Sequence, residues 1–185
     1  MKGYIRLRFL LIVSCFGFSC CGWSDYHNTK VLLKDMLEST VSIPKRVTCI
    51  QGGKVFPMPE SIRNQPKLVV FVDSTECSRC RIDKLVHYSE MFTLSEETNA
   101  FKVMILLSTP KSEYNDIYEH LLYSESQYPV YMDDDNAFRR INPSIPDKSM
   151  FHTMIVNENN EIVLVGDPVH NERVMELFNR AFQIK

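Results

Sequence analysis

Leu68-Val69-Val70-Phe71-Val72-Asp73-Ser74-Thr75-Glu76-Cys77-Ser78-Arg79-Cys80 is the stretch on which the fold turns. Its five consecutive apolar residues predict a strand covered on both faces. The segment after Cys77 carries Ile82, Leu85, Val86 and Phe92 at helical spacing. Cys77 and Cys80 therefore fall directly after a strand and at the start of a helix. A helix N-terminus offers unpaired N–H groups and the positive end of the dipole, and both stabilise a thiolate. The thiolate is the nucleophile of disulfide exchange. A second sulfur one helical turn further on is close enough to resolve a mixed disulfide. Arg79 and Arg81 add positive charge, and Asp73 and Glu76 oppose it. The pair alone would also suit half of a zinc site, but the chain has no second C-x-x-C and no H-x-x-x-H to complete one. An inert structural pair is the plain alternative to redox chemistry.

Working outward, the same alternation continues. Residues 103–107 predict a second buried strand. Ser112 is placed to cap a helix whose apolar stripe is Tyr114, Ile117, Tyr118, Leu121 and Leu122. Residues 130–132 give a third strand. Residues 154–156 and 162–165 flank Asn157-Glu158-Asn159-Asn160, an antiparallel hairpin signal. Asn171 is placed to cap a last helix carrying Val174, Leu177, Phe178, Ala181 and Phe182. The order β-α-β-α-β, loop, β-β-α predicts an α/β fold, with a central mixed sheet flanked by helices. Upstream, residues 25–40 read as a helix with Leu33, Met36, Leu37 and Thr40 on one side, ended by Ile43-Pro44. Residues 47–56 read as a small hairpin around Gly52-Gly53. The expected organisation is a signal segment at 1–20, a helix and hairpin extension at 21–66, and the main domain at 67–185.

The chain of 185 residues is 44% hydrophobic and 24% charged, enough to bury a core without disulfide staples. A formal net charge of −2 supplies no basic field, so nucleic-acid binding is set aside. The N-terminus has Lys2, Arg6 and Arg8, then the apolar run Phe9-Leu10-Leu11-Ile12-Val13, then small residues and cysteines. This pattern describes an export signal. It resembles a bacterial lipoprotein signal, which implies lipidation of a cysteine, with Cys20 favoured and Cys15 and Cys21 left open. The expected location is the bacterial cell envelope, lipid-anchored and facing the periplasm. Cys49, Cys77 and Cys80 then remain in the mature body, and Cys49, in a predicted strand, is the candidate for the leftover thiol.

The Leu68 to Cys80 stretch with its downstream elements resembles the thioredoxin superfamily. It is most similar to envelope thiol-disulfide oxidoreductases of the TlpA/redoxin type and to small thioredoxin-like lipoproteins of Bacteroidetes. The resemblance runs from about Lys67 to the end. It implies Cys77 as attacking thiol and Cys80 as resolving thiol, acting on exported thiol or disulfide proteins. It implies no cofactor; electrons would come from a membrane electron donor.

Three positions depart from the family pattern. Glu76 stands where a tryptophan usually precedes the first cysteine. Phe71 stands where the family places a buried acid. His152, in Phe151-His152-Thr153-Met154-Ile155-Val156, stands where the family has a cis-proline that shapes the substrate groove. The alignment therefore puts His152 beside Cys77 as a third catalytic residue. It could pair with a thiolate or shuttle protons. It could also join both cysteines as a copper ligand, as in proteins of the SCO type, or merely hydrogen-bond at a strand edge. A non-catalytic interaction module is a further alternative. His87, His120 and His170 read as surface positions without a role. Asp133-Asp134-Asp135 reads as a solvated turn. Asn142-Pro143-Ser144-Ile145-Pro146 reads as a rigid loop lining a groove on the His152 side.

Overall fold

In the computed structural model the described residues are 21–76, 82–83, 85–124 and 126–184. Cys15, Cys20, Cys77 and Cys80 lie outside them. The chain divides into two compact units, residues 1–34 and 35–185. The boundary falls inside helix α1 (Cys21–Leu37). Among the described residues no helix is long and apolar enough to cross a membrane.

In the second unit the strands are β1 (Thr48–Gln51), β2 (Lys54–Pro57), β3 (Lys67–Val72), β4 (Lys102–Ser108), β5 (Val130–Asp133), β6 (Thr153–Val156) and β7 (Ile162–Val165). The helices are α2 (Ser89–Thr98), α3 (Tyr114–Ser124), α4 (Ala137–Ile141) and α5 (Glu172–Ala181). The strands form one sheet in the order β2-β1-β5-β4-β3-β6-β7. β3, β4 and β5 run parallel, and the β1-β2 and β6-β7 hairpins add antiparallel strands at the two sides. The first hairpin thus extends the central sheet itself, through the pairing of β1 with β5.

All six residues of β3 are buried, as its apolar run predicts. Leu68, Val70 and Val72 point into a core with Val103, Ile105 and Leu107 of β4, Ile117 and Leu121 of α3, and Phe178 of α5. The tyrosines and phenylalanines on the helical stripes pack as side chains of a core do. Tyr114 and Tyr118 stack at 6.1 Å, and Phe178 meets Phe101 edge-on at 4.8 Å. On the opposite face Phe71 packs against Phe138 of α4 at 4.6 Å. Asn171 caps α5 as expected, its side chain accepting from Val174 N–H.

Four details differ from the sequence reading. Helix α1 stops at Leu37, because Ser39 donates both its N–H and its hydroxyl to the Met36 carbonyl, at 2.9 and 2.8 Å. Thr40 leaves the helix and bridges Glu161 beside the β6-β7 turn. Ser112 lies in the turn before α3, which closes through Glu113 N–H to the Pro110 carbonyl, so it does not cap. The segment after Ile82 tightens to a 3-10 turn, Leu85–Tyr88, before α2. Its period of three buries Leu85 and Tyr88 together and turns Val86 out to 62% exposure. β3 begins one residue before the apolar run, with a lysine. Lys67 is fully buried and donates to Asn160 Oδ1 at 2.6 Å and to the Arg63 carbonyl at 3.2 Å.

Candidate functional site

The chain leaves β3 at Val72 and turns through residues 73–76 toward Cys77. Asp73 holds this turn: its Oδ1 accepts from the Thr75 N–H at 2.9 Å and the Thr75 hydroxyl at 2.8 Å. Its carbonyl accepts from Glu76 N–H at 2.9 Å. Its Oδ2 lies 3.6 Å from Arg139 Nε on α4. Arg139 also donates to the carbonyls of Ile145 and Pro146 and pairs with Asp147. The turn that delivers Cys77 is therefore tied through Arg139 to α4 and to the loop after it.

His152 belongs to the same network. It immediately precedes β6, is 2% exposed, and its carbonyl accepts from Phe71 N–H at 2.8 Å. Phe71, at the position where the family pattern has an acid, touches the imidazole ring at 5.2 Å. Nδ1 lies 2.9 Å from Glu76 Oε1, and Nε2 lies 3.0 Å from the Pro146 carbonyl. A carbonyl only accepts, so Nε2 carries a proton and donates to it. The Nδ1–Oε1 contact then holds one further proton, either on an imidazolium facing a carboxylate or on a carboxylic acid facing Nδ1. Glu76 precedes Cys77 directly in sequence, so His152 reaches the cysteine motif through Glu76. With both nitrogens engaged, His152 has no lone pair to offer a metal in this arrangement. Among the described residues no group of three histidine, cysteine or acidic side chains is placed to hold a metal ion.

One expectation changes here, at Asp133. The loop 142–146 meets His152 through the Pro146 carbonyl. Asn142 exchanges hydrogen bonds with the Ser42 backbone, at 2.7 and 2.9 Å, and Pro146 supplies the carbonyl under the imidazole. Asp134 and Asp135 form the expected turn, with Asp135 exposed, but Asp133 lies at the end of β5 and is buried. Asp133 is 2% exposed and accepts from Ala137 N–H, Phe138 N–H and the Ser108 hydroxyl, which fixes the start of α4. Cys49 is a free, buried thiol. Burial pushes its pKa up, against a hydrogen bond from Tyr131 that lowers it.

A cleft of about 350 Å³ opens beside His152. Leu85, Tyr88, Met150, Asp167 and His170 line it, and Met150 stands on it at 60% exposure. The sequence reading gave His170 no role. The available signal was its spacing from Asp167: Nδ1 of His170 lies 2.8 Å from Asp167 Oδ2, and the Tyr88 hydroxyl donates to the same oxygen at 2.6 Å.

No protein-family model matches the chain, and no curated protein matches it. Solved structures do. A candidate thiol:disulfide interchange protein, DsbE, from Chlorobium tepidum is 15% identical with a TM-score of 0.51, covering 78% of this chain and 98% of that one. A candidate thiol-disulfide oxidoreductase from Bacteroides vulgatus is 11% identical with the same TM-score of 0.51, covering 80% of this chain and 94% of that one. With its mixed sheet, its flanking helices and these structural neighbours, the chain has a thioredoxin-like fold.

Proposed function

We propose that this protein is a thiol-disulfide oxidoreductase of the cell envelope, using Cys77 to attack and Cys80 to resolve. The observation that carries the reading is positional. In a thioredoxin-like fold, the C-x-x-C follows the C-terminal end of central strand β3, across a turn that Asp73 and Glu76 hold in place. Strand ends of this kind in open α/β sheets are where ligands bind. The names of the two structural neighbours point to the same chemistry. His152 enters as a positioning residue that fixes Glu76 beside the attacking cysteine. The substrates would be disulfide-bonded exported proteins, with a membrane electron donor returning Cys77 and Cys80 to the dithiol. The N-terminal basic, apolar and cysteine-bearing segment supports a lipid anchor at Cys20, facing the periplasm.

The direct test is insulin reduction by the reduced protein, followed by mass spectrometry after alkylation. A Cys77–Cys80 bond should form and reduce reversibly, and Cys77→Ser should abolish turnover. A pair that neither oxidises nor reduces would leave the fold as an interaction module. Labelling with a radioactive fatty acid, lost in Cys20→Ala, tests the anchor.

A further inference from the structure

Two imidazoles that the redox reading does not use meet at the protein surface. His87 stands exposed on the 3-10 turn Leu85–Tyr88, and His170 is 55% exposed in the segment between β7 and α5. Their ring centres are 5.7 Å apart. The fold holds His170 from one side. Gly166, at φ +134°, turns the chain out of β7 in a conformation that other residues rarely adopt. Asp167 follows, and its Oδ1 accepts from Val169 N–H at 2.9 Å. Oδ2 accepts from the Tyr88 hydroxyl at 2.6 Å and lies 2.8 Å from His170 Nδ1. Tyr88 is 5% exposed, so the carboxylate is fixed to the body of the domain. An ionised carboxylate only accepts, so Nδ1 bears the ring proton and the lone pair stays on Nε2. Neither Nε2 of His170 nor either ring nitrogen of His87 has a hydrogen-bond partner among the described residues.

A histidine whose Nδ1–H is held by a carboxylate, with Nε2 open, is arranged as a metal-ligating histidine is. The spacing of the pair fits one ion. Two imidazoles on a tetrahedral zinc, each bonded at about 2.0–2.1 Å, have ring centres about 5.2 Å apart. The observed separation is larger by about half an ångström, which a small rotation of the exposed His87 closes. Imidazole nitrogens suit zinc, copper and nickel, and magnesium and calcium prefer oxygen. Asp167 has both oxygens engaged, so it orients His170 and adds negative charge without ligating.

We propose that His87 and His170 form a two-histidine site for a divalent transition metal of the zinc class, with Asp167 as the residue that orients His170. The ion takes Nε2 of His170 and one ring nitrogen of His87, and water fills its other positions. It ties the turn before α2 to the segment before α5. No cysteine takes part, so the site stands whether or not the thiol chemistry does.

The test is calorimetric titration of Zn²⁺ into the full chain, reduced and then capped with iodoacetamide under native conditions so that accessible thiols cannot bind the metal. A single equivalent should bind and raise the melting temperature, because the ion joins segments that only the folded chain brings together. His87→Gln and His170→Gln should each weaken binding by at least about tenfold and remove the thermal shift, and Asp167→Asn should weaken it by about tenfold or more. His120→Gln, which removes the partly exposed imidazole beside Asp83, should bind as the parent does. Both histidine variants alter exposed side chains, so their melting without zinc should match the parent. No zinc uptake by the parent, or parental affinity in either His87→Gln or His170→Gln, would overturn the site. Parental affinity in Asp167→Asn would overturn the orienting role given to that carboxylate.

Discussion

Lys67→Met isolates the energetic cost of a buried charge at the start of the strand that leads to the cysteine motif. Lys67 Nζ has two acceptors, Asn160 Oδ1 and the Arg63 carbonyl, and both are neutral. Burial without a counter-charge lowers its pKa from 10.5 to about 8. That difference is equivalent to about 3 kcal/mol held against the folded state wherever the lysine is charged. The sign follows from proton counting. Between pH 8 and 10.5 the unfolded chain binds more protons at this site than the folded one, so stability rises with pH through that window. The lysine should contribute a gain of about 2 kcal/mol between pH 8 and pH 10, with little change below pH 7. Met at 67 removes the titration and leaves the two acceptors unpaired, an offset that does not vary with pH. Tyr114, raised to about 12, and Tyr131, raised further by burial, hold their protons longer in the folded state and act above pH 10 in both proteins. Urea unfolding of wild type and Lys67→Met at pH 7, 8, 9 and 10 reads the effect as the difference between the two curves. Parallel pH profiles between pH 8 and 10 would refute the argument that burial makes Lys67 release its proton earlier in the folded state.

Three further perturbations test the site and its frame. Glu76→Ala and His152→Ala should be non-additive, with a coupling of at least about 1 kcal/mol in urea unfolding, because each removes one end of the same contact between partly or fully buried groups; additive effects would mean that the 2.9 Å contact carries no energy. Gly166→Ala should destabilise by about 1–3 kcal/mol in thermal unfolding, since its φ is positive and the new methyl would sit 3.0 Å from Val174 Cγ2. Wild-type stability in that variant would contradict the geometry of the turn that supports Asp167. Cys49 should resist iodoacetamide in the native protein and react only in denaturant, because it is 4% exposed and burial keeps its thiol protonated; labelling at the rate of a free peptide thiol would show that this strand opens.

The sequence by itself determined the alternation of elements and the position of the C-x-x-C, because both are local. An apolar run such as residues 68–72 marks a buried strand, and the stripe Ile117, Leu121 marks the buried side of a helix, whatever their partners are. The hairpins around Gly52-Gly53 and residues 157–160 were legible for the same reason, as was the Asn171 cap. The tertiary structure alone decided where polar groups meet. His152 finds Glu76 across 76 positions, and Tyr88 finds Asp167 across 79. Lys67 and Asp133, whose types suggest solvent, are buried because the sheet brings Asn160 to one and the start of α4 to the other. Apolar periodicity records how deeply a residue sits. It carries no record of which donor faces which acceptor, since that depends on the register of β6 against β3 and on the loops that the register positions.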